Sequence, residues 1–253
     1  MKPTDSQDYL AKKAFFEKIL TIYGRNAVSE VLSDPSIEIH KLHLSESNKP
    51  AKVLTQMITL ANERGIEVVI HDKKTLSRIS KNAKQDQGVA LDIILPHSGS
   101  VEAFLTDHNH YRIMALDGIT NPQNLGMIIR SCAAGNIDAI LIPTKGNAQI
   151  SPLVIKASAG TLFKLPILRT PSLYKALKVL QAQKASLYML TSDAPQSYRE
   201  TSYASRSVFV LGNESQGVSP EIQSLCDISI SIPMQRDVES LNVAVTASLL
   251  AFM

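Results

Sequence analysis

The sequence predicts an α/β protein of two units, on three observations. Strand-length apolar runs alternate with helix-length amphipathic stretches along nearly the whole chain. In the second half these strands, such as Tyr111 to Asp117 and Ser207 to Leu211, carry continuous apolar stretches (Ile113 to Leu116, Val208 to Leu211), as in a parallel sheet covered by helices on both faces. A turn cluster, Pro96-His-Ser-Gly99, interrupts the alternation. It places a smaller unit at residues 15–95, a linker at 96–108 and a larger unit at 109–253.

In the smaller unit, Ala14 to Ile22 reads as a short amphipathic piece ahead of Tyr23-Gly24. Asn26 to Leu32 reads as a helix stopped near Asp34-Pro35, and Ile37 to Leu44 as a strand with imperfect alternation. Pro50 to Arg64 is helical on Val53, Met57 and Leu60, closed by Gly65. Ile66 to Ile70 is a strand, Asp72 caps a helix from Lys73 to Ser80, and Gly88 to Leu95 is a strand. The expected order is α-β-α-β-α-β.

Val101 to Asn109 reads as a connecting segment. The larger unit then alternates strands (Tyr111 to Asp117, Ala139 to Ile142, a short one at Ile167, Ser186 to Thr191, Ser207 to Leu211, Ile228 to Ile232) with helices. The helices are Asn124 to Ala134, Ser151 to Ser158, Ser172 to Gln183, a turn at Pro220 to Cys226, and Leu241 to Phe252.

Composition narrows the class. With 26 basic and 23 acidic residues the net charge is +3, which neither demands nor excludes nucleic acid, because a patch decides. Cys132 and Cys226 stand far apart in apolar settings, so free buried thiols in a reducing, cytoplasmic compartment are expected, not a disulfide framework or a metal knuckle. The opening MKPTDSQDYLAKKAFF has early acids and no apolar core, so no secretory leader is expected, and no apolar run is long enough to span a membrane.

Ligands of parallel α/β sheets sit at the carboxyl ends of strands, and three such ends carry unusual chemistry. The first is Asp117-Gly-Ile-Thr-Asn121-Pro-Gln-Asn124, where Asn121 or Asn124 can cap the next helix and Arg130 lies within it, expected to face back toward the same mouth. The second is Gly212-Asn213-Glu214-Ser-Gln-Gly217, two glycines bracketing a polar tip, without the pattern of a Walker loop or a dinucleotide fingerprint. The third is Ile232-Pro-Met234 followed by Ser240-Leu241-Asn242, with Ser240 as the expected helix cap. Lys74, Arg78 and Lys81 recur at helical spacing, with Lys73 and Lys84 nearby; this is either a solvated face or a phosphate-binding one. His108 and His110 read as polar surface, with no third metal ligand near them in sequence.

In order and spacing the three loops resemble the motifs of the SPOUT class of methyltransferases, and within it the SpoU (TrmH-like) ribose 2′-O-methyltransferases. The segment Lys156-Ala-Ser158-Ala-Gly160 before Leu165-Pro166 is also similar. The resemblance runs from about Arg112 to Phe252. It implies a parallel sheet closed by a deep C-terminal trefoil knot and S-adenosylmethionine as cofactor. Leu211, Gly212, Asn213, Gly217, Ile232, Met234, Ser240 and Leu241 would hold the cofactor. Arg130, Asn124, Glu214 and Asn242 would form the catalytic set, with no metal, in a homodimer that assembles the site across its interface. Ile22-Tyr-Gly24-Arg25-Asn-Ala-Val28 and Gln87-Gly88-Val89-Ala90 are similar to a ribosomal-protein-like RNA-binding domain, which adds Arg25 to Lys73, Lys74, Arg78 and Lys81 as candidate RNA contacts. The pairing is most similar to bacterial enzymes that modify a guanosine of 23S ribosomal RNA; close relatives act on transfer RNA. Arg236 stands where the family has glycine, so a side chain there is expected to crowd the cofactor or to meet RNA.

Two other readings follow from the same residues: an RNA-binding homologue without catalysis, and a different α/β enzyme such as a nucleotide hydrolase, which the missing P-loop disfavours.

Overall fold

The computed structural model describes residues 15–16, 18–81, 85–95 and 99–253. The chain divides into two units, residues up to 96 with 150–152, and residues 97–149 with 153–253.

The first unit runs β1 (Ile19–Tyr23), α1 (Arg25–Leu32), β2 (Ile39–Ser45), α2 (Lys52–Glu63), β3 (Glu67–His71), α3 (Lys73–Ser80) and β4 (Val89–Ile94). Its sheet has the order β1-β4-β2-β3, with β2 parallel to β3 and β4 antiparallel to both β1 and β2. Strands β1, β2 and β3 therefore point the same way, and α1, α2 and α3 all begin along one edge. The order expected from the sequence is corrected at its start: Ile19–Tyr23 is a strand, not part of an amphipathic piece. Leu20 and Ile22 are its buried positions, a period of two that pairing with β4 enforces. Ala14 lies outside the described residues, as do Lys84 and the Pro96-His-Ser98 part of the turn cluster.

Helix α2 buries Leu54, Met57 and Ala61. The stripe is rotated from the expected Val53-Met57-Leu60, whose outer members are only half-buried at its flanks. Asp72 caps α3 as expected, accepting from the backbone N–H groups of Lys74 and Thr75 at 2.8 and 2.9 Å. A polar relay crosses the sheet: Thr21 donates to Asp92 at 2.6 Å, buried His43 bonds the other carboxylate oxygen at 3.0 Å, and its second ring nitrogen lies 2.9 Å from His71.

The second unit runs α4 (Val101–Asp107), β5 (Tyr111–Leu116), α5 (Pro122–Ala134), β6 (Ala139–Pro143), α6 (Pro152–Ala157), a 3-10 turn (Thr161–Phe163) and β7 (Ile167–Thr170). It continues with α7 (Leu173–Ala182), β8 (Ser186–Leu190), β9 (Arg206–Leu211), α8 (Pro220–Gln223), β10 (Ile228–Ile230) and α9 (Val243–Ala251). All six strands are parallel, in the order β10-β8-β9-β5-β6-β7. The chain builds outward from β5 through β6 to β7, then returns to place β9 on the other side of β5. That reversal opens a crevice at the strand ends. One sheet face packs Ile113, Leu141, Val208 and Val210 against Phe104, Leu177 and Ile222 of the covering helices.

Two expectations are corrected here. The connecting segment is helix α4, capped by Ser100, whose hydroxyl accepts from Ala103 N–H at 3.2 Å. Its apolar pair Val101 and Phe104 is buried, but seven residues are too few to show periodicity. Helix α9 begins at Val243, and its cap is Asn242, which accepts from Ala244 N–H at 2.9 Å, rather than Ser240. Helices α5 and α9 pack closely: a side chain at Gly135 would meet the Ala251 carbonyl at 2.3 Å, and Ser131 and Ser248 share a 2.7 Å hydroxyl bond.

Candidate active site

The β5–α5 loop is fixed first. Asn147, buried and outside the expected site residues, accepts from Ile119 N–H at 2.7 Å and donates to the Leu116 carbonyl at 2.9 Å. Asp117 accepts from Ser219 N–H at 2.7 Å, tying this loop to the one after β9. Asn121, not Asn124, caps α5, accepting from Gln123 N–H at 2.8 Å.

The loop after β9 closes on itself, because Asn213 and Gly217 exchange backbone bonds of 2.9 and 2.8 Å. Gly212 is required by close approach: an added Cβ would lie 2.1 Å from both the Gly217 carbonyl carbon and the Val218 nitrogen. Asn213 accepts from Ser215 N–H at 2.8 Å and donates to the Gly118 carbonyl at 2.9 Å. The tip carrying Glu214 is thus locked to both of its neighbours.

At the crevice the three loops meet on one carboxylate. Glu214 Oε1 accepts from Asn124 Nδ2 at 2.5 Å and from Asn242 Nδ2 at 3.0 Å, and Asn242 Nδ2 lies 3.2 Å from Asn124 Oδ1. An ionised acceptor makes such bonds stronger than neutral pairs. Asn124, Glu214 and Asn242, of the four expected catalytic residues, are therefore in contact although they lie far apart in the chain.

A pocket adjoins this knot of bonds, enclosing about 700 Å³ that opens to solvent. All eight residues expected to hold a cofactor line it: Leu211, Gly212, Asn213, Gly217, Ile232, Met234, Ser240 and Leu241. Glu214 also lines it. Leu190, Thr191 and Ser192 at the end of β8, with Glu239, Val243 and Thr246, complete the lining. The sequence reading missed these; the available signal was that a parallel strand beside β9 must end at the same mouth. Among the described residues no Lys or Arg lines the pocket, whereas two carboxylates do.

Arg130 is not brought to this mouth. Six residues along a helix turn the side chain about 120° from Asn124 and shift it about 9 Å along the axis, and Arg130 is exposed and lines neither of the crevice cavities. Arg236 does not line the pocket either; it is exposed, with a left-handed φ of 59°. The expected crowding of the pocket by this side chain is not seen. The residue adopts the backbone conformation that glycine takes most readily.

The sequence of the second unit agrees with this geometry. The SpoU rRNA Methylase family matches residues 111–252, which is more than half of the chain. The chain belongs to the SpoU rRNA methylase family. A second family, RNA 2′-O ribose methyltransferase substrate binding, matches residues 21–97. The chain is 32% identical over 228 residues to an uncharacterized tRNA/rRNA methyltransferase of Mycobacterium leprae, covering 89% of this chain and 73% of the relative. It is 29% identical to the 23S rRNA (guanosine-2′-O-)-methyltransferase RlmB of Xanthomonas campestris pv. campestris, covering 91% and 94%. In fold it is similar to the SpoU methyltransferase AviRb of Streptomyces viridochromogenes, solved with AdoMet, at a TM-score of 0.62 and 19% identity over 98% of this chain and 91% of that one.

In the SpoU chain's first unit the candidate RNA contacts fall into two groups. Arg25 is half-buried and braced, donating to the Gln87 carbonyl at 3.2 Å and to Asn48 at 3.3 Å. Lys73, Lys74 and Arg78 are exposed on α3, and Lys81 is its left-handed C-cap. His108 stacks on Phe104 at 4.0 Å and bonds the Phe104 carbonyl at 2.8 Å. Among the described residues no three His, Cys, Asp or Glu side chains are grouped to hold a metal, and no helix is long and apolar enough to cross a membrane. Burial pushes the Cys132 thiol up to about 12.

Proposed function

We propose that this chain transfers a methyl group from S-adenosylmethionine to a ribose 2′-hydroxyl of structured RNA, with a guanosine of 23S ribosomal RNA as its target. The observation that carries the reading is the meeting of Asn124, Glu214 and Asn242, from three separate strand ends, beside a pocket lined by all eight expected cofactor residues.

The residues present fit the cofactor. Leu190, Leu211, Ile232 and Met234 offer an apolar wall to an adenine, and Glu214 and Glu239 suit a ligand that carries sulfonium and ammonium charges. When bound, the cofactor supplies an activated methyl whose bonding pair returns to sulfur as the 2′-oxygen takes the carbon. The protein must hold the acceptor in line and manage one hydroxyl proton. Asn124, Glu214 and Asn242 fix the loops that do the holding. A guanidinium is a poor proton acceptor, so the role of Arg130 is to clasp a neighbouring phosphate and steady charge developing on the 2′-oxygen, with the proton leaving to phosphate or water.

Because Arg130 is exposed and lines neither cavity of its own chain, the role given to it lies in the site of a second copy. Met127 on α5, Val245 in the first turn of α9 and Phe252 at its C-cap, 46%, 42% and 62% exposed, form the apolar surface of that homodimer. The reading also carries the family's trefoil knot and a cytoplasmic location. Residues 15–95 hold RNA and residues 109–253 perform the transfer. In the first unit Arg25, Lys73 and Lys74 lie along the edge where α1 and α3 begin, and helix N-termini attract phosphate; Arg78 and Lys81 extend the positive surface along α3.

Mapping 2′-O-methyl groups on ribosomal and transfer RNA from a strain lacking the gene tests the assignment. One 23S guanosine is expected to lose its methyl. A loss confined to transfer RNA would move the target, and unchanged maps would remove the activity.

A further inference from the structure

Beside the donor pocket lies a second, smaller cavity that opens to solvent. Asn213, Glu214 and Val243 line both spaces, so the carboxylate that ties the loops together is also the partition. The second cavity is otherwise built from the turn Gly118 to Asn121, with Asn124 and Ser215.

Its chemistry is neutral hydrogen bonding. Among the described residues no Lys or Arg lines it and one carboxylate does, which disfavours a phosphate. Among the described residues the hydroxyls of Thr120 and Ser215 and the amide NH₂ of Asn121 have no hydrogen-bond partner; the Asn121 oxygen alone is used, as the α5 cap. The amides of Asn124 and Asn213 are already spent on the loops. Free hydroxyls and amide donors are the groups that bond ribose hydroxyls and the edges of unstacked bases.

Methyl transfer needs the acceptor oxygen in line with the donor carbon, so the acceptor must enter a space that shares a wall with the donor pocket. We infer that this cavity receives the acceptor nucleoside, held by Thr120, Asn121 and Ser215, while its phosphates stay outside. The inference rests on the methyl-transfer reading and names where the substrate sits in it.

Thr120 and Ser215 are exposed and line only the second cavity, so T120W and S215W should fill it without touching the donor pocket. Both variants are expected to bind S-adenosylmethionine within about twofold of wild type by calorimetry, yet to methylate RNA at least ~100-fold more slowly, the scale on which misplacement of a reactant acts. Guanosine added to wild type saturated with S-adenosylhomocysteine should shift the Asn121 side-chain amide resonances, and should not do so in either variant. Wild-type methylation rates in both variants would overturn the inference. So would a parallel loss of donor affinity, since the two cavities would then not be separate sites. A wild-type chain that binds no donor and methylates no RNA would instead overturn the methyl-transfer reading itself.

Discussion

Asn147 contributes no atom to the lining of either cavity, yet it holds the first loop in shape through two bonds to the turn after β5. N147A would leave the Ile119 N–H and the Leu116 carbonyl buried without those partners, at about 1–3 kcal/mol for each group. The expected result is a lower urea midpoint, together with weaker methylation, because Gly118 presents the carbonyl that anchors Asn213. The first unit offers a second residue-scale test, in its relay. Burial alone would raise the Asp92 carboxyl, but bonds from His43 and Thr21 outweigh it and hold it below the usual carboxylate range. Burial, and then the charge of His43 beside it, hold His71 below the usual histidine range. In both cases the unfolded chain takes up the proton first on acidification. Stability is therefore full above the ordinary histidine range, falls as pH drops through it, and falls again through the carboxylate range. Hydrogen exchange of β2 and β4 amides should accelerate between pH 7.5 and 5.5 after correction for intrinsic rates. H71A, which removes the titrating group itself, should remove most of that pH dependence.

Helices α5 and α9 decide where Arg130 can act. They are pinned face to face by the Gly135 approach and the Ser131–Ser248 bond, which leaves Met127 and Arg130 outward. If that outward surface is a dimer interface, F252E should shift the chain to a monomer in sedimentation, keep its donor affinity and lose methylation. A monomer that remains fully active would remove the partner role given to Arg130. Most elements here were legible in the sequence because their apolar periods are long: the uninterrupted runs of β5 and β9 predicted a doubly covered parallel sheet. The misses share one cause, that pairing or packing overrode a short local pattern. Ile19–Tyr23 is five residues whose strand character depends on β4, and Val101–Asp107 shows a single apolar pair. At the site, Asn124, Glu214 and Asn242 were legible because their motifs are local. Leu190 and Thr191 were not, since only the fold carries the end of β8 to this mouth. The direction of Arg130 was misjudged because helical rotation was not counted.

At the scale of the molecule, the strand order β10-β8-β9-β5-β6-β7 makes a site possible. The reversal beside β5 brings loops from residues 117–124, 212–217 and 232–242 to one crevice, and bonds between the loops hold them there. The central claim is that this crevice binds the methyl donor. Met234 lines it, whereas Met127 lies exposed on α5, and the chain has only seven methionines to resolve. With ¹³C-methyl methionine, titration by S-adenosylmethionine is expected to move the Met234 signal to saturation while the Met127 signal stays in place. A Met234 signal unmoved at millimolar donor would contradict the account.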